Sequence, residues 1–101
     1  MSRYIIAPEA VQDLDEISNY FLLRNVEVGE RWFQAFSQKC QQLVQFPMMG
    51  RSYFNIRSDL RGVPLEGFVI LYRVAGDRLE IMRIVSGKRN LGALFSDVDD
   101  E

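Results

Sequence analysis

The chain has 101 residues, of which 48% are hydrophobic and 26% are charged; this composition indicates one globular domain and excludes a disordered chain. No apolar run approaches the roughly 20 residues that a membrane-spanning helix needs, and the N-terminal apolar stretch is too short for a signal peptide. The formal net charge is −2, histidine is absent, and the single cysteine cannot form an internal disulfide. These features predict a cytoplasmic protein that lacks the commonest general base and metal ligand.

The charge is unevenly distributed along the chain. Residues 51–89 carry eight basic and four acidic side chains, whereas residues 1–50 carry four and six, and residues 90–101 carry four acidic ones. This asymmetry predicts that the basic part faces an anionic partner or that the acidic end shields it. The alternative is an ordinary solvated surface with a frayed tail. We expect a single domain over residues 1–95 and an acidic tail over residues 96–101.

The N-terminal part predicts a strand followed by a helix. Residues 3–7 are β-branched and aromatic, which favours a strand. Pro8 suits the first turn of a helix, and apolar residues recur from there at helical spacing as far as Arg24–Asn25. Asp13 and Glu16 lie on the polar side of this helix, and we expect both to face solvent.

A second helix is predicted after a short break. Its apolar stripe consists of Val28, Trp32, Phe36, Cys40 and Leu43. The stripe ends before Pro47, which stops a helix. The short connection to the first helix predicts an antiparallel helical hairpin. Within the stripe, Trp32 and Phe36 are expected in the core, and Cys40 is expected to act as a small buried hydrophobe rather than a nucleophile.

The C-terminal part predicts a meander of three strands over residues 60–64, 68–74 and 78–85. Tight turns are expected at Glu66–Gly67 and Gly76–Asp77. Alternation places Phe68, Ile70, Tyr72 and Val74 on one face, and Val69, Leu71 and Arg73 on the other.

The predicted elements together define an α+β fold of two layers, in which the N-terminal strand and the helical hairpin pack on a small antiparallel sheet. Residues 47–59 are loop-like. A last short helix is expected at Leu91–Phe95, docked on the sheet.

No catalytic signature is present, and no catalytic residue, metal or cofactor is predicted. The glycines are isolated rather than grouped in a phosphate-binding loop, no Cys/His cluster could hold zinc, and a Ser-His-Asp triad is impossible.

Arginines on the predicted strands are the remaining candidates for function. Arg61, Arg73 and Arg83 interrupt otherwise apolar or β-rich runs, and Lys88 and Arg89 follow the last strand. Because a guanidinium is planar and permanently charged, these residues together would form a surface that binds an anionic partner. The alternative is that the arginines pair across strands with the acidic residues Glu66, Asp77 or Glu80, or cover an exposed sheet face. The strand register, which decides whether the arginines share a face, is open at this point.

The order of elements from Tyr4 to Leu94 resembles the RelE/ParE superfamily of bacterial toxins from type II toxin–antitoxin systems, and the ParE branch most closely. The matching pieces are Ala7-Pro8-Glu9-Ala10, Asp13-Leu14-Asp15-Glu16-Ile17 with Tyr20, Phe46-Pro47, Gly50-Arg51, Leu60-Arg61, the run Phe68–Val74, the run Glu80–Val85, and Gly87-Lys88-Arg89-Asn90-Leu91. The chain departs from the ParE pattern at Ser86, where members often carry histidine, and at Asn90, where they often carry aspartate.

The resemblance to the ParE branch implies a toxin that binds DNA gyrase, traps its cleaved-DNA complex and needs no catalysis. It also implies a cognate antitoxin whose C-terminal segment wraps the toxin and neutralises it. Both a homodimer and a toxin–antitoxin heterotetramer are compatible with the sequence, and no membrane partner is expected.

Two alternatives remain open on the sequence. Members resembling RelE cleave messenger RNA on the ribosome, a reaction that needs a base, an acid and charge stabilisation. Relatives often supply these groups with a histidine or tyrosine near the C-terminus, and this chain has no histidine and no tyrosine after Tyr72. The other alternative is a non-toxic interaction module with the same fold.

Overall fold

The computed structural model of the chain describes residues 3–87. Its elements are β1 (Tyr4–Ile6), α1 (Pro8–Arg24), α2 (Val26–Gln45), β2 (Arg51–Ser52), β3 (Arg61–Leu65), β4 (Phe68–Ala75) and β5 (Arg78–Ser86). The helix predicted at Leu91–Phe95, the acidic tail at 96–101, and the basic pair Lys88 and Arg89 lie outside the described residues. None of the helices within residues 3–87 is both long and apolar enough to cross a membrane.

The strands form one five-stranded sheet in the order β1-β5-β4-β3-β2. β1 runs parallel to β5, and the other neighbouring strands are antiparallel. Two-residue turns join β3 to β4 and β4 to β5, as the sequence predicts. At the first turn, Glu66 and Gly67 have φ angles of 42° and 90°, the left-handed conformation that a tight hairpin turn requires.

The two helices form a hairpin with a single connecting residue. Asn25 is the last hydrogen-bonded residue after α1, because its backbone N–H donates to the Phe21 carbonyl. The side chain of Asn25 caps the start of α2 by accepting a hydrogen bond of 3.1 Å from the Val28 N–H. Gly29 lets the helices approach closely, because a Cβ at this position would lie 2.6 Å from the Cβ of Phe21.

The main core lies between the helical hairpin and one face of the sheet. Its buried side chains include Trp32, Phe36, Cys40, Leu43, Ile70, Tyr72, Leu79 and Ile81. The predicted placement of Trp32, Phe36 and Cys40 in the core is therefore confirmed. Cys40 has no exposed surface, and its burial raises the thiol pKa to about 12, so the thiol stays protonated.

The opposite face of the sheet is covered by the segment predicted as a loop. Tyr53 and Ile56 pack there against a small buried cluster of Leu60, Leu71 and Val85. The same segment contributes the two-residue edge strand β2, which the sequence does not signal because so short a strand has no periodicity.

A register shift interrupts the pairing of β4 with β5. Leu71 pairs with Arg83, but the next residue, Tyr72, pairs with Ile81, so Met82 has no direct partner. This bulge allows Ile81 and Ile84, three positions apart, both to join the main core.

Candidate partner-binding surface

Arg61 and Tyr72 together hold the turn that follows α2. The Tyr72 hydroxyl donates a hydrogen bond of 2.7 Å to the Pro47 carbonyl and accepts one of 2.9 Å from the Gly50 N–H. Nη1 of Arg61 donates to the Gly50 carbonyl at 2.7 Å. Burial raises the pKa of Tyr72, which keeps the hydroxyl protonated as a donor. Nη1 of Arg61 also donates to the Met48 carbonyl at 3.3 Å, so within residues 3–87 its hydrogen bonds go to neutral carbonyl groups.

Arg73 lies in an ion-pair network on β4. Its Nε donates to Glu80 Oε1 at 2.6 Å, and its Nη1 lies 3.3 Å from Asp59 Oδ2. Asp59 also pairs with Arg57 at 3.8 Å. The hydrogen bond to Glu80 raises the pKa of Arg73 above the ordinary arginine value. At this position the structure shows the cross-strand pairing with Glu80 that the sequence offered as the alternative to anion binding.

Arg83 forms a bidentate ion pair with Asp13 of α1. Its Nε donates to Asp13 Oδ2 at 2.7 Å, and its Nη2 donates to Asp13 Oδ1 at 3.0 Å. The backbone N–H of Ile84 also donates to Asp13 Oδ2, at 3.0 Å. The prediction that Asp13 faces solvent is therefore wrong, since its side chain is only 11% exposed. It occupies the open edge of β5, where β1 has ended at Ile6.

The strand register separates the three arginines. Residues directly opposite each other in a ladder share a face. Arg61 pairs with Tyr72 on the helix-facing side of the sheet, whereas Leu71 lies on the other side. Arg73 follows Leu71 by two residues and shares its side. The structure thus places Arg61 and Arg73 on opposite faces, and Asp13 of α1 holds the Arg83 guanidinium at the edge of β5, apart from Arg73 and its partners Glu80 and Asp59.

A groove that sequence reasoning missed lies between the helical hairpin and the β3–β4 turn. It has a volume of about 470 Å³ and is lined mainly by apolar side chains, with two carboxylates among the lining residues. The lining residues include Glu16, Tyr20, Phe21, Trp32, Glu66 and Phe68. No local sequence pattern predicts this groove, because its lining residues come from α1, α2, the β3–β4 turn and β4, which meet only in the folded chain.

Comparisons with known proteins agree on one family. The family described as "ParE toxin of type II toxin-antitoxin system, parDE" matches residues 4–91. "Toxin ParE3" of Caulobacter vibrioides is 30% identical over 94 residues, which cover 92% of this chain and 94% of that protein.

A solved structure supports the same assignment at the level of the fold. The structure described as "Chromosomal ParDE TA system from P. aeruginosa" superposes with a TM-score of 0.70 at 26% identity, covering 85% of this chain and 95% of that chain. Two helices on a five-stranded sheet are therefore the shared architecture. This chain belongs to the ParE toxin family of type II toxin–antitoxin systems.

Proposed function

We propose that this chain inhibits DNA gyrase by binding it and that a cognate antitoxin neutralises the chain. Membership of the ParE toxin family supports both parts. The solved relative is described as a ParDE toxin–antitoxin system, which further supports an antitoxin partner here. Gyrase acts on DNA, so the cytoplasm would be the site of action.

The observation that supports a binding mechanism is that the carboxylates beside the sheet arginines are all hydrogen-bonded to those arginines. Asp13, Asp59 and Glu80 each accept hydrogen bonds from a guanidinium, and Asp13 also accepts one from a backbone N–H. A carboxylate held in this way is poorly placed to remove a proton from a substrate hydroxyl. The guanidinium groups are no better as bases, because Asp13 and Glu80 raise the pKa values of Arg83 and Arg73.

The same arginines are suited to recognition. The side chains of Arg73 and Arg83 keep 34% and 25% of their surface exposed, and their ion pairs fix the orientation of each guanidinium. We propose that Arg61, Arg73 and Arg83, together with Lys88 and Arg89, supply the positive potential that attracts an acidic protein surface. Such potentials mainly raise the rate of encounter and select among partners.

A supercoiling reaction with purified gyrase tests the proposal. We expect micromolar protein to suppress supercoiling and to accumulate cleaved DNA that remains attached to gyrase. Full supercoiling without cleaved DNA at that concentration would contradict the proposal.

A parallel reaction distinguishes the alternative functions. Purified ribosomes translating a defined messenger RNA should yield intact messenger in the presence of this chain. Cleaved messenger, lost in an Arg61→Ala variant that still folds, would instead identify an endoribonuclease. Inactivity in both reactions, with normal growth on strong expression without antitoxin, would identify a non-toxic interaction module.

A further inference from the structure

The guanidinium of Arg61 is held in place through one nitrogen and has donors to spare. Only Nη1 is bound, to the carbonyls of Met48 and Gly50, and within residues 3–87 neither Nε nor Nη2 has an acceptor. In that part of the chain, Trp32 Nε1 is the one buried side-chain nitrogen or oxygen without a hydrogen-bond partner. The unbound Arg61 nitrogens are therefore open to solvent.

A cavity of about 200 Å³ lies beside this guanidinium. Its apolar lining comes from Met48, Leu60 and Val74, and its polar lining from Ser52, Ser58, Asp59 and Arg61. The Asp59 carboxylate is already engaged, because it lies 3.3 Å from Nη1 of Arg73 and 3.8 Å from Nε of Arg57. Of the two charged lining residues, only Arg61 has no ion-pair partner within residues 3–87. The Arg61 cavity therefore suits an anionic group with apolar neighbours.

The turn that follows α2 places exposed apolar side chains next to the Arg61 cavity. Phe46, Met48 and Met49 are all exposed, and the N–H of Met49 closes the turn by donating to the Phe46 carbonyl at 3.0 Å. Met48 is 66% exposed and also lines the cavity, so it connects the apolar turn to the charged site. Aromatic, methionine and arginine side chains together are typical of surfaces that bind other proteins.

These features favour a protein over a nucleic acid as the occupant. A phosphate group would also pair with a guanidinium. The cavity, however, has apolar walls and a carboxylate of its own at Asp59, which would repel a chain of phosphates. A single carboxylate carried on an apolar protein surface meets both conditions.

We propose that the Arg61 cavity receives an aspartate or glutamate side chain of the target protein, while an apolar neighbour of that side chain packs on Met48. The carboxylate accepts hydrogen bonds from Nε and Nη2 of Arg61, the same two nitrogens through which Arg83 binds Asp13. This inference rests on the proposed function, in which the chain acts by binding gyrase. It gives Arg61 a direct contact with the partner, whereas Arg73 and Arg83 are already paired within the chain.

A peptide titration of the full chain tests the Arg61 cavity without gyrase. The probe is a short synthetic peptide of glutamate and leucine, the control is the same peptide with glutamine in place of glutamate, and the readout is the NMR signal of Arg61 Nε–H. We expect a saturable shift with the glutamate peptide and none with the glutamine peptide. No shift at millimolar peptide, equal shifts with both peptides, or tighter binding of a single-stranded oligonucleotide would overturn the proposal.

Met48→Glu adds a second test, because it places a carboxylate of the chain itself beside Arg61. We expect this variant to bind the glutamate peptide about tenfold more weakly and to need about tenfold more protein for half-inhibition of gyrase. Leu23→Glu is the matched control, since it makes the same change of charge at an exposed residue just before α2, whereas Met48 follows the end of that helix. The control should retain both wild-type values.

The two readouts separate this proposal from the proposed function. Gyrase inhibition by Met48→Glu equal to that of the wild type would contradict the role of the Arg61 cavity and leave gyrase inhibition itself intact. A wild-type chain that does not inhibit gyrase would refute the proposed function, and the peptide titration would then decide whether the cavity binds a carboxylate. The wild-type titration also remains decisive if Met48→Glu fails to fold.

Discussion

At the scale of single residues, the Asp13 carboxylate supplies the hydrogen-bond acceptor that a neighbouring strand would otherwise provide at the edge of the sheet. β1 pairs with β5 only as far as Ile81, and the Ile84 N–H beyond that point donates to the Asp13 carboxylate. The same carboxylate binds the Arg83 guanidinium through both of its oxygens. One side chain thus satisfies an edge donor and a partly buried charge, and it fastens α1 to β5.

Asp13→Ala should therefore destabilise the fold. The substitution leaves the Ile84 N–H and the Arg83 guanidinium without their acceptor, and we expect the free energy of unfolding to fall by about 2–3 kcal/mol. Urea denaturation measures this loss. Asp15→Ala is the matched control, because Asp15 is exposed on the same helix, and it should change stability by less than about 0.5 kcal/mol. Equal effects of the two substitutions would refute the role of Asp13.

Cys40 makes stability depend on pH in alkaline solution. The unfolded thiol ionises near pH 9.0, but the buried thiol has a pKa of about 12, so the folded state retains the proton longer. The contribution of this group is complete below pH 9 and is lost as the pH rises toward 12, at about 1.4 kcal/mol per pH unit.

The Cys40→Ala variant separates this effect from that of other alkaline groups. Below pH 9, the difference in unfolding free energy between wild type and variant should be constant. By pH 10.5 it should have shifted by about 2 kcal/mol to the disadvantage of the wild type. Denaturant titrations at several pH values check this, and a difference that does not change with pH would show that the thiol is not protected from ionisation.

At the scale of elements, a buried tyrosine fixes the exit from α2. The Tyr72 hydroxyl bonds to backbone groups of Pro47 and Gly50. Gly50 has no room for a side chain, because a Cβ there would lie 2.7 Å from Cε1 of Tyr72. The turn is thus specified by β4, which lies more than twenty residues away in sequence.

Tyr72→Phe should loosen this turn without emptying the core. Two backbone groups lose their partner while the ring remains, and we expect a loss of about 2 kcal/mol in the free energy of unfolding. Tyr20→Phe removes a hydroxyl from a half-exposed ring and should cost less than about 0.5 kcal/mol. Thermal or urea unfolding compares the two variants. A wild-type stability for Tyr72→Phe would show that other contacts hold the turn.

Local patterns in the sequence were enough to predict the helices and the longer strands. Helical spacing located α1 and α2, and two-residue turn signals located β3, β4 and β5 to within a residue or two. The parallel pairing of β1 with β5, the bulge at Met82 and the partner of Asp13 depend on contacts distant in sequence. The sequence identified Arg73 and Arg83 and offered Glu80 among the possible carboxylate partners, but Asp59 as a partner of Arg73 and Asp13 as the partner of Arg83 emerge only from the three-dimensional structure.

At the scale of the whole molecule, the positive part of the chain combines with a sheet whose arginines are already oriented. The excess charge of residues 51–89 favours encounter with an acidic surface, and the ion pairs at Arg73 and Arg83 restrict these side chains before binding. Both properties suit a protein that holds its target rather than one that turns over a substrate.

The most direct test of this account is a titration of purified gyrase with the chain at several incubation times. Binding predicts that inhibition of supercoiling depends on the ratio of toxin to gyrase, reaches a plateau at a fixed stoichiometry and does not grow with longer incubation once binding is complete. Inhibition by far fewer toxin molecules than gyrase molecules, increasing steadily with time, would show turnover and would contradict the account.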